Sequence, residues 1–348
     1  MKAIDFFCGA GGMTYGLARA GIRVLGGVDN DSCCKETYES NNKPARFFES
    51  DITQLTAETV AIQFGIERND DDLMFIGCSP CQYWSKINTD RTKSATSAFL
   101  LREFQRFVEW FNPGFIVIEN VPGLLSKKAQ SILPSFLDFL DAHEYIYDQK
   151  VINAHDFGVP QNRKRYLLMA TRVLTEISLP TGRKSKKLVV KDFLGVQNGF
   201  ASIPAGHQDS TQRRHTAAKL SPQNMQRMLL TQPNGGTRAA WRSDPDLQIE
   251  AYDGHHEIFR DVYARMFWDK PAPTITTRFN SFSNGRFGHP EEHRAISLRE
   301  GATLQTFPKR YFFKGQNQAA IARQIGNAVP PALAERIGRH LLNLVANG

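Results

Sequence analysis

The chain has 348 residues, 41% of them hydrophobic and 22% charged, with a formal net charge of +8. That length and composition allow one large domain or two ordinary ones around a sizeable core, and exclude a disordered or fibrous chain. No apolar run is long enough to span a bilayer. Five cysteines, an odd number with no secretory signal before them, point to a reduced, cytoplasmic setting.

In chain order, Ala3–Phe7 reads as a strand, followed by a glycine turn and a helix near Met13–Ala20. The stretch Asp5-Phe6-Phe7-Cys8-Gly9-Ala10-Gly11-Gly12 therefore ends a strand and opens a helix, as at the nucleotide corner of doubly wound sheets. It is not G-x-G-x-x-G, which disfavours a dinucleotide, and no Gly-Lys-Ser/Thr follows to make a P-loop. Alone, such a turn is equally a plain strand-to-helix connection. Arg23–Val28 reads as a second strand, closed by Asp29, whose carboxylate can accept from both hydroxyls of a ribose. Asp51 closes the next short segment, where it can meet an adenine amino group. Together the three features favour an adenosine ligand.

Leu73–Gly77 is a further strand, running into Cys78-Ser79-Pro80-Cys81-Gln82. This puts Cys81 in a loop after a strand, where open parallel sheets place their ligands. A redox pair or half a zinc site is disfavoured, because no second Cys/His pair lies at zinc spacing and Pro80 sits inside the pair. A buried, inert cysteine is the plain alternative. Polar Tyr83–Ser97 reads as a mobile lid or as an ordinary exposed loop. Leu100, Leu101, Phe104, Phe107, Val108 and Phe111 recur at helical spacing until Asn112-Pro113-Gly114 stops the helix. Phe115–Glu119 is a strand whose terminal acid faces the same crevice as Cys81. Leu133, Phe136, Leu137 and Leu140 mark another helix. Gln161-Asn162-Arg163-Lys164-Arg165 leads into a strand at Tyr166–Thr171, and alternation puts Arg163 and Arg165 on one face, able to hold a carboxylate, a phosphate or a base carbonyl.

Alternating strands and helices give an α/β fold, a doubly wound, mixed but mostly parallel sheet. From about Thr181 to Pro290 the periodicity weakens while aromatic residues continue, which indicates a second, smaller, loop-rich domain. From Gln161 to Lys187, eight basic residues face one acid, Glu176; this is a solvated face or a phosphate-binding run. Pro330–Val345 is a closing helix with prolines at its start.

With these elements in this order, the sequence resembles the cytosine-5 DNA methyltransferase family over nearly its whole length. The likeness rests on Asp5 to Gly12, Asp29, Asp51-Ile52, Pro80-Cys81-Gln82, Glu119-Asn120-Val121 and Gln161 to Arg165. It continues through Arg299-Glu300, Leu304-Gln305-Thr306-Phe307-Pro308 and Gln324 to Pro330. Cys78 and Ser79 depart from the family's commoner residues. The resemblance implies a class I, Rossmann-like methyltransferase with S-adenosyl-L-methionine as cofactor and S-adenosyl-L-homocysteine as product. It implies a catalytic domain at 1–178 plus 318–348 and a target recognition domain at 179–317. Cys81 is then the nucleophile and Glu119 the donor to ring N3. Arg165 is the holder of O2, and Arg163 or a helix N-terminus lowers the thiol pKa. Cofactor contacts fall on Phe7, Gly9, Gly11, Gly12, Asp29, Asn30, Asp51, Ile52, Pro80, Asn327, Ala328 and Val329. DNA contacts fall on Gln82, Ser85, Lys86, Arg91, Lys93, Thr274 and Ile275, and no metal is expected. The expected partner is double-stranded DNA, with a cognate restriction endonuclease in the background and a monomeric enzyme in the bacterial cytoplasm or nucleoid. A tRNA cytosine-5 methyltransferase and a catalytically inactive DNA-binding protein of the same fold are the alternatives.

Overall fold

The computed structural model describes residues 1–79, 92–125, 132–182, 188–211, 214–252 and 259–347, without the side chains of 92–98 and 251. Two compact units emerge. Unit 1 comprises Met1–Phe157, Lys164–Arg183 and Val329–Gly348, and unit 2 comprises Gly158–Arg163 and Lys184–Ala328. Among the described residues, no helix is long and apolar enough to cross a membrane.

Unit 1 carries the sheet. Its strands are β1 (Lys2–Phe6), β2 (Arg23–Asp29), β3 (Arg46–Glu49), β4 (Leu73–Gly77), β5 (Phe115–Asn120), β6 (Ile146–Asn153) and β7 (Lys164–Thr171). They lie in the order β3-β2-β1-β4-β5-β7-β6. Strands β1 to β5 run parallel, and β7 runs antiparallel to both β5 and β6. The chain leaves β1 towards β2 on one side and later returns to pair β4 on the other. That switch opens a crevice beyond the carboxyl ends of β1 and β4, the ligand position of such sheets. Helices α1 (Gly12–Ala20), α2 (Lys35–Asn41), α3 (Ala57–Phe64), α4 (Thr92–Phe111) and α5 (Leu133–Ala142) form the connections.

Interior parallel strands are covered on both faces, so they read as unbroken apolar runs. β4 is buried at every position, and so is β5. In β5, however, the apolar run Phe115–Ile118 ends in two buried polar residues, Glu119 and Asn120. The core under β1 and β4 is aromatic: Phe6 packs edge-on against Phe75 at 5.1 Å and against Phe104 at 5.6 Å, and Phe75 against Phe111 at 5.3 Å. Each such ring, fully buried, contributes about 2–3 kcal/mol.

The last helix, α9 (Pro331–Asn347), packs on α1. The two approach closely because Gly16 and Gly338 lack side chains: a methyl on Gly16 would run into Ala334 and the Pro331 carbonyl, and one on Gly338 would sit 2.7 Å from the Cβ of Ala20. Arg19 and Glu335 pair across the contact at 2.8 Å. The C-terminal helix is thereby brought back onto the helix that follows the glycine turn.

Unit 2 holds the short helices α6 (Pro222–Leu230), α7 (Leu298–Leu304) and α8 (Gln318–Asn327) among long loops. Buried loop carbonyls need donors, and forked guanidinium groups supply them. Arg265, fully buried, donates to the carbonyls of Met228, Thr231, His289, Glu291 and Glu292. Arg294 forms a bidentate pair with Glu300 at 2.7 and 2.9 Å.

The division departs from the expected domain limits. Residues 318–328 and 158–163 belong to unit 2 rather than to the sheet unit, and the other boundary falls at 183/184 rather than 178/179. The cause is local: the carbonyls that end α8 accept hydrogen bonds from Arg163 and Gln305 of the same unit.

Candidate active site

Phe7, Gly9 and Gly11 have φ of 61°, 49° and 84°, so the turn after β1 is left-handed at three positions. Such angles cost an L side chain about 1 kcal/mol or more, and glycine nothing. The turn is closed by Gly11 N–H on the Cys8 carbonyl at 2.9 Å. The two glycines differ in surroundings: a methyl on Gly11 would collide with Asn42 and Tyr38, whereas one on Gly9 would meet nothing within 4 Å. Gly9 thus borders open space while its N–H is held by Asp29 Oδ2 at 2.8 Å. The other oxygen of Asp29 accepts from Asp31 N–H at 2.8 Å. Burial pushes the Asp29 carboxyl up from its ordinary range.

Beneath the turn, Asp5 is completely buried and accepts the Thr14 hydroxyl at 2.7 Å on Oδ2, leaving Oδ1 with no hydrogen bond. Burial raises this carboxyl to about 7. Gly12 is buried at the start of α1, Asn30 is exposed, and Asp51, also exposed, accepts Thr53 N–H at 2.9 Å. Ile52 is buried, its carbonyl taking Arg106 at 3.0 Å. An open glycine edge flanked by a strand-end carboxylate fits an adenosyl-bearing donor. Of the C-terminal expected contacts, Asn327 is exposed and Ala328 buried at the end of unit 2, and Val329 is buried where unit 1 resumes.

At the other side of the switch, β4 ends on Gly77, against which the Phe104 ring packs at 3.0 Å from where a Cβ would lie. Asn120, the last residue of β5, ties down the loop that follows: its amide donates to Ser79 Oγ at 3.2 Å, and its Oδ1 accepts Val121 N–H at 2.7 Å. Ser79 is two residues from Cys81. Burial, and then the charge of Glu119, hold the neighbouring Cys78 thiol well above its ordinary pKa, so Cys78 is unsuited to act as a thiolate.

Glu119 lies beside that loop. Arg165 Nε on β7 comes within 2.9 Å of Glu119 Oε1, with side-chain exposures of 12% and 8%. The N–H does not point at the oxygen, and Oε1 accepts no hydrogen bond among the described residues. The carboxylate is therefore ion-paired but not saturated, which leaves Oε1 able to hydrogen-bond a further group. Arg165 Nη1 donates to the Lys164 carbonyl at 2.8 Å.

Arg163 has a different task from the one alternation suggested. β7 starts at Lys164, so the strand argument stops short of Arg163, which belongs to unit 2. It is buried, and its guanidinium donates to the carbonyls of Ile275, Gly326 and Ala328 at 3.0, 3.3 and 3.1 Å. Ile275, an expected DNA contact, has a fully buried side chain, and its N–H is held by Gln161 Oε1 at 3.0 Å. Thr274 spends its hydroxyl on the Asn162 carbonyl at 2.7 Å. In that segment the exposed residues are Thr276 and Arg278.

Pro80, Cys81, Gln82, Ser85, Lys86 and Arg91 lie outside the described residues, as does the side chain of Lys93. Of the expected lid, residues from Thr92 on form the start of α4 and the rest lies outside the description, with the Arg183–Lys187 part of the basic run. Asn120, Gln161 and Gln305 are site-organising residues that sequence reasoning assigned no role. The available signal was polarity at the end of an apolar strand for Asn120; nothing in the spacing marks the two glutamines.

The sequence model described as C-5 cytosine-specific DNA methylase matches residues 1–343. The chain is 37% identical over 342 residues to the Type II methylase M.HgiDII of Herpetosiphon aurantiacus, covering 97% of this chain and 94% of that protein. It is 31% identical over 348 residues to the Type II methyltransferase M1.HphI of Haemophilus parahaemolyticus, covering 99% and 87%. Among solved structures, a protein assigned as a DNA modification methyltransferase, encoded within an E. coli prophage, matches with a TM-score of 0.76 at 24% identity over 99% of both chains. The S. pombe Dnmt2 methyltransferase matches at 0.62 and 17%, covering 100% and 99%. At these identities the two structures bear on the fold alone.

Proposed function

We propose that this chain, which belongs to the C-5 cytosine-specific DNA methylase family and is a DNA cytosine-5 methyltransferase, works through a covalent bond from Cys81 to carbon 6 of an extruded cytosine, with S-adenosylmethionine as donor. The observation that carries the reading is the half-satisfied Glu119, paired with Arg165 beside the Ser79 loop that leads to Cys81.

Carbon 5 of cytosine is a poor nucleophile, and carbon 6 is stacked inside the duplex, so the base is first flipped out. Addition of the Cys81 thiolate to carbon 6 moves an electron pair towards ring N3, where Glu119 delivers a proton. Arg165, already beside Glu119, holds the carbonyl O2. The ring is then enamine-like and nucleophilic at carbon 5. The donor, when bound, supplies an electrophilic methyl group on a sulfonium. Return of the N3 proton to Glu119, loss of the carbon 5 proton to solvent or a base, and expulsion of the Cys81 thiolate restore the aromatic ring and the enzyme. Asp29 and the Gly9 edge of the turn bind the adenosyl end. The Type II descriptions of the relatives support a place in restriction-modification, and we take the enzyme to act there as a cytoplasmic monomer with an endonuclease of the same site.

The test is to offer methyl-labelled S-adenosylmethionine with duplex DNA and, separately, with tRNA. Label in DNA, located by bisulfite sequencing at one cytosine context, is the expected result. Label in tRNA alone, or in neither, would refute the reading.

A further inference from the structure

The helix α8 ends in a way that helices rarely can. Its C-cap residue, Ala328, is extended, and Pro330 and Pro331 beyond Val329 have no N–H, so the last carbonyls of the helix draw donors from side chains. Two side chains provide them. Gln305 Nε2 donates to the carbonyls of Ile325 at 2.7 Å and Ala328 at 3.2 Å, and Arg163 donates to those of Gly326 and Ala328. Ala328 O thus takes two donors.

Gln305 is also the acceptor for Gln161 Nε2 at 2.7 Å, and Gln161 holds the Leu304 carbonyl at 2.9 Å and Ile275 N–H. All three side chains are buried. The node joins the two places where the chain passes between the units next to proposed site residues. Arg163 is the last residue of unit 2 before β7 and Arg165, and Ala328 is the last before Val329. All three side chains sit away from solvent, so an amide left alone there would be an unsatisfied buried group.

We infer that Gln305 is a positioning residue for methyl transfer: through Gln161 and the end of α8 it fixes, in one amide node, the two stretches of unit 2 that run directly on into Arg165 and into Val329. The inference rests on the function proposed above, and it assigns Gln305 no contact with substrate or donor.

The experiment compares Gln305→Met, Gln161→Met, the double variant and a control, Met228→Ala, which removes a fully buried side chain of α6. Binding of S-adenosylhomocysteine is measured by calorimetry and single-turnover methylation of DNA by quench, both well below each variant's melting temperature. Each glutamine variant is expected to lose about tenfold in product affinity and in rate. The double variant should lose less than the product of the two single losses, because the Gln161–Gln305 bond is already broken by either change alone. The control loses thermal stability while affinity and rate stay within about twofold. Glutamine variants that behave like the control, or whose losses multiply in the double, would overturn the inference. Absence of S-adenosylhomocysteine binding by the unsubstituted chain would instead overturn the donor reading and this inference with it.

Discussion

Arg165 on β7 and Glu119 on β5 face each other at 2.9 Å across antiparallel strands, each nearly buried, yet Oε1 of the acid accepts no hydrogen bond among the described residues. Burying two charges is expensive, and a pair kept at the open end of a sheet with spare acceptor capacity is arranged for a third party. Glu119→Gln and Arg165→Met should each slow single-turnover methylation by about a hundredfold or more. If they act on one ring together, the double variant falls far less than the product of the two losses. Quenched-flow rates on one DNA duplex check this, and multiplying losses would show that the residues act apart.

The two glycines of the turn should fail differently. Gly9→Ala keeps the fold, at a cost of about 1 kcal/mol for its φ of 49°, but puts a methyl into the open edge. Its affinity for S-adenosylhomocysteine should drop tenfold or more. Gly11→Ala adds a clash with Asn42 and Tyr38 and should lose stability first. Calorimetric binding beside thermal melts of both variants separates the effects.

Asp5 makes stability depend on pH in an unusual direction. In the folded chain burial raises it to about 7, from an ordinary value of 3.8. Between those values the native state holds a proton that the unfolded state has lost. Stability from this group is therefore greatest below pH 4 and falls as pH rises to 7, by about 1.4 kcal/mol per pH unit at most. Asp5→Asn abolishes the dependence. Urea melts at pH 5 and pH 8 should show the variant gaining on the unsubstituted chain by roughly 2 kcal/mol, and a pH-independent difference would contradict this account of Asp5.

The pair Arg294–Glu300 runs the other way. Burial alone would raise Glu300, but the charge and hydrogen bonds of Arg294 outweigh it and hold the acid at about 2. Its contribution is present above pH 4.5 and is lost as pH falls through 2. Arg294→Met leaves a buried carboxylate unpaired, an expected loss of about 3–5 kcal/mol at neutral pH. Arg294→Met/Glu300→Leu should recover a good part of that in urea melts.

Those parts of the fold that bury one regular face were legible in the sequence. The strand–glycine turn–helix at Asp5–Ala20, the apolar runs of β4 and β5, and the α4 spacing Leu101-Phe104-Phe107-Phe111 all declare themselves locally. β6 did not: it is an edge strand, paired on one side, and its residues Tyr147, Asp148, Gln149 and Lys150 are mixed in polarity and only partly buried at best. Glu119 and Arg165 were legible because polar residues end otherwise apolar strands. That Arg163, Thr274 and Ile275 bind backbone groups was not legible, because such partners carry no signature in the sequence. Arg163 and its partner at Ala328 are 165 positions apart.

The account turns on a thiolate bond to the base, and one measurement addresses it. Duplex DNA with 5-fluorocytosine at the target is incubated with the chain and S-adenosylmethionine, and the product is digested and sequenced by mass spectrometry. Fluorine cannot leave as the proton does, so the account predicts a stable adduct on the peptide containing Cys81, absent from Cys81→Ser. Methylation of ordinary DNA at full rate by Cys81→Ser, or an adduct on Cys78 instead, would contradict it.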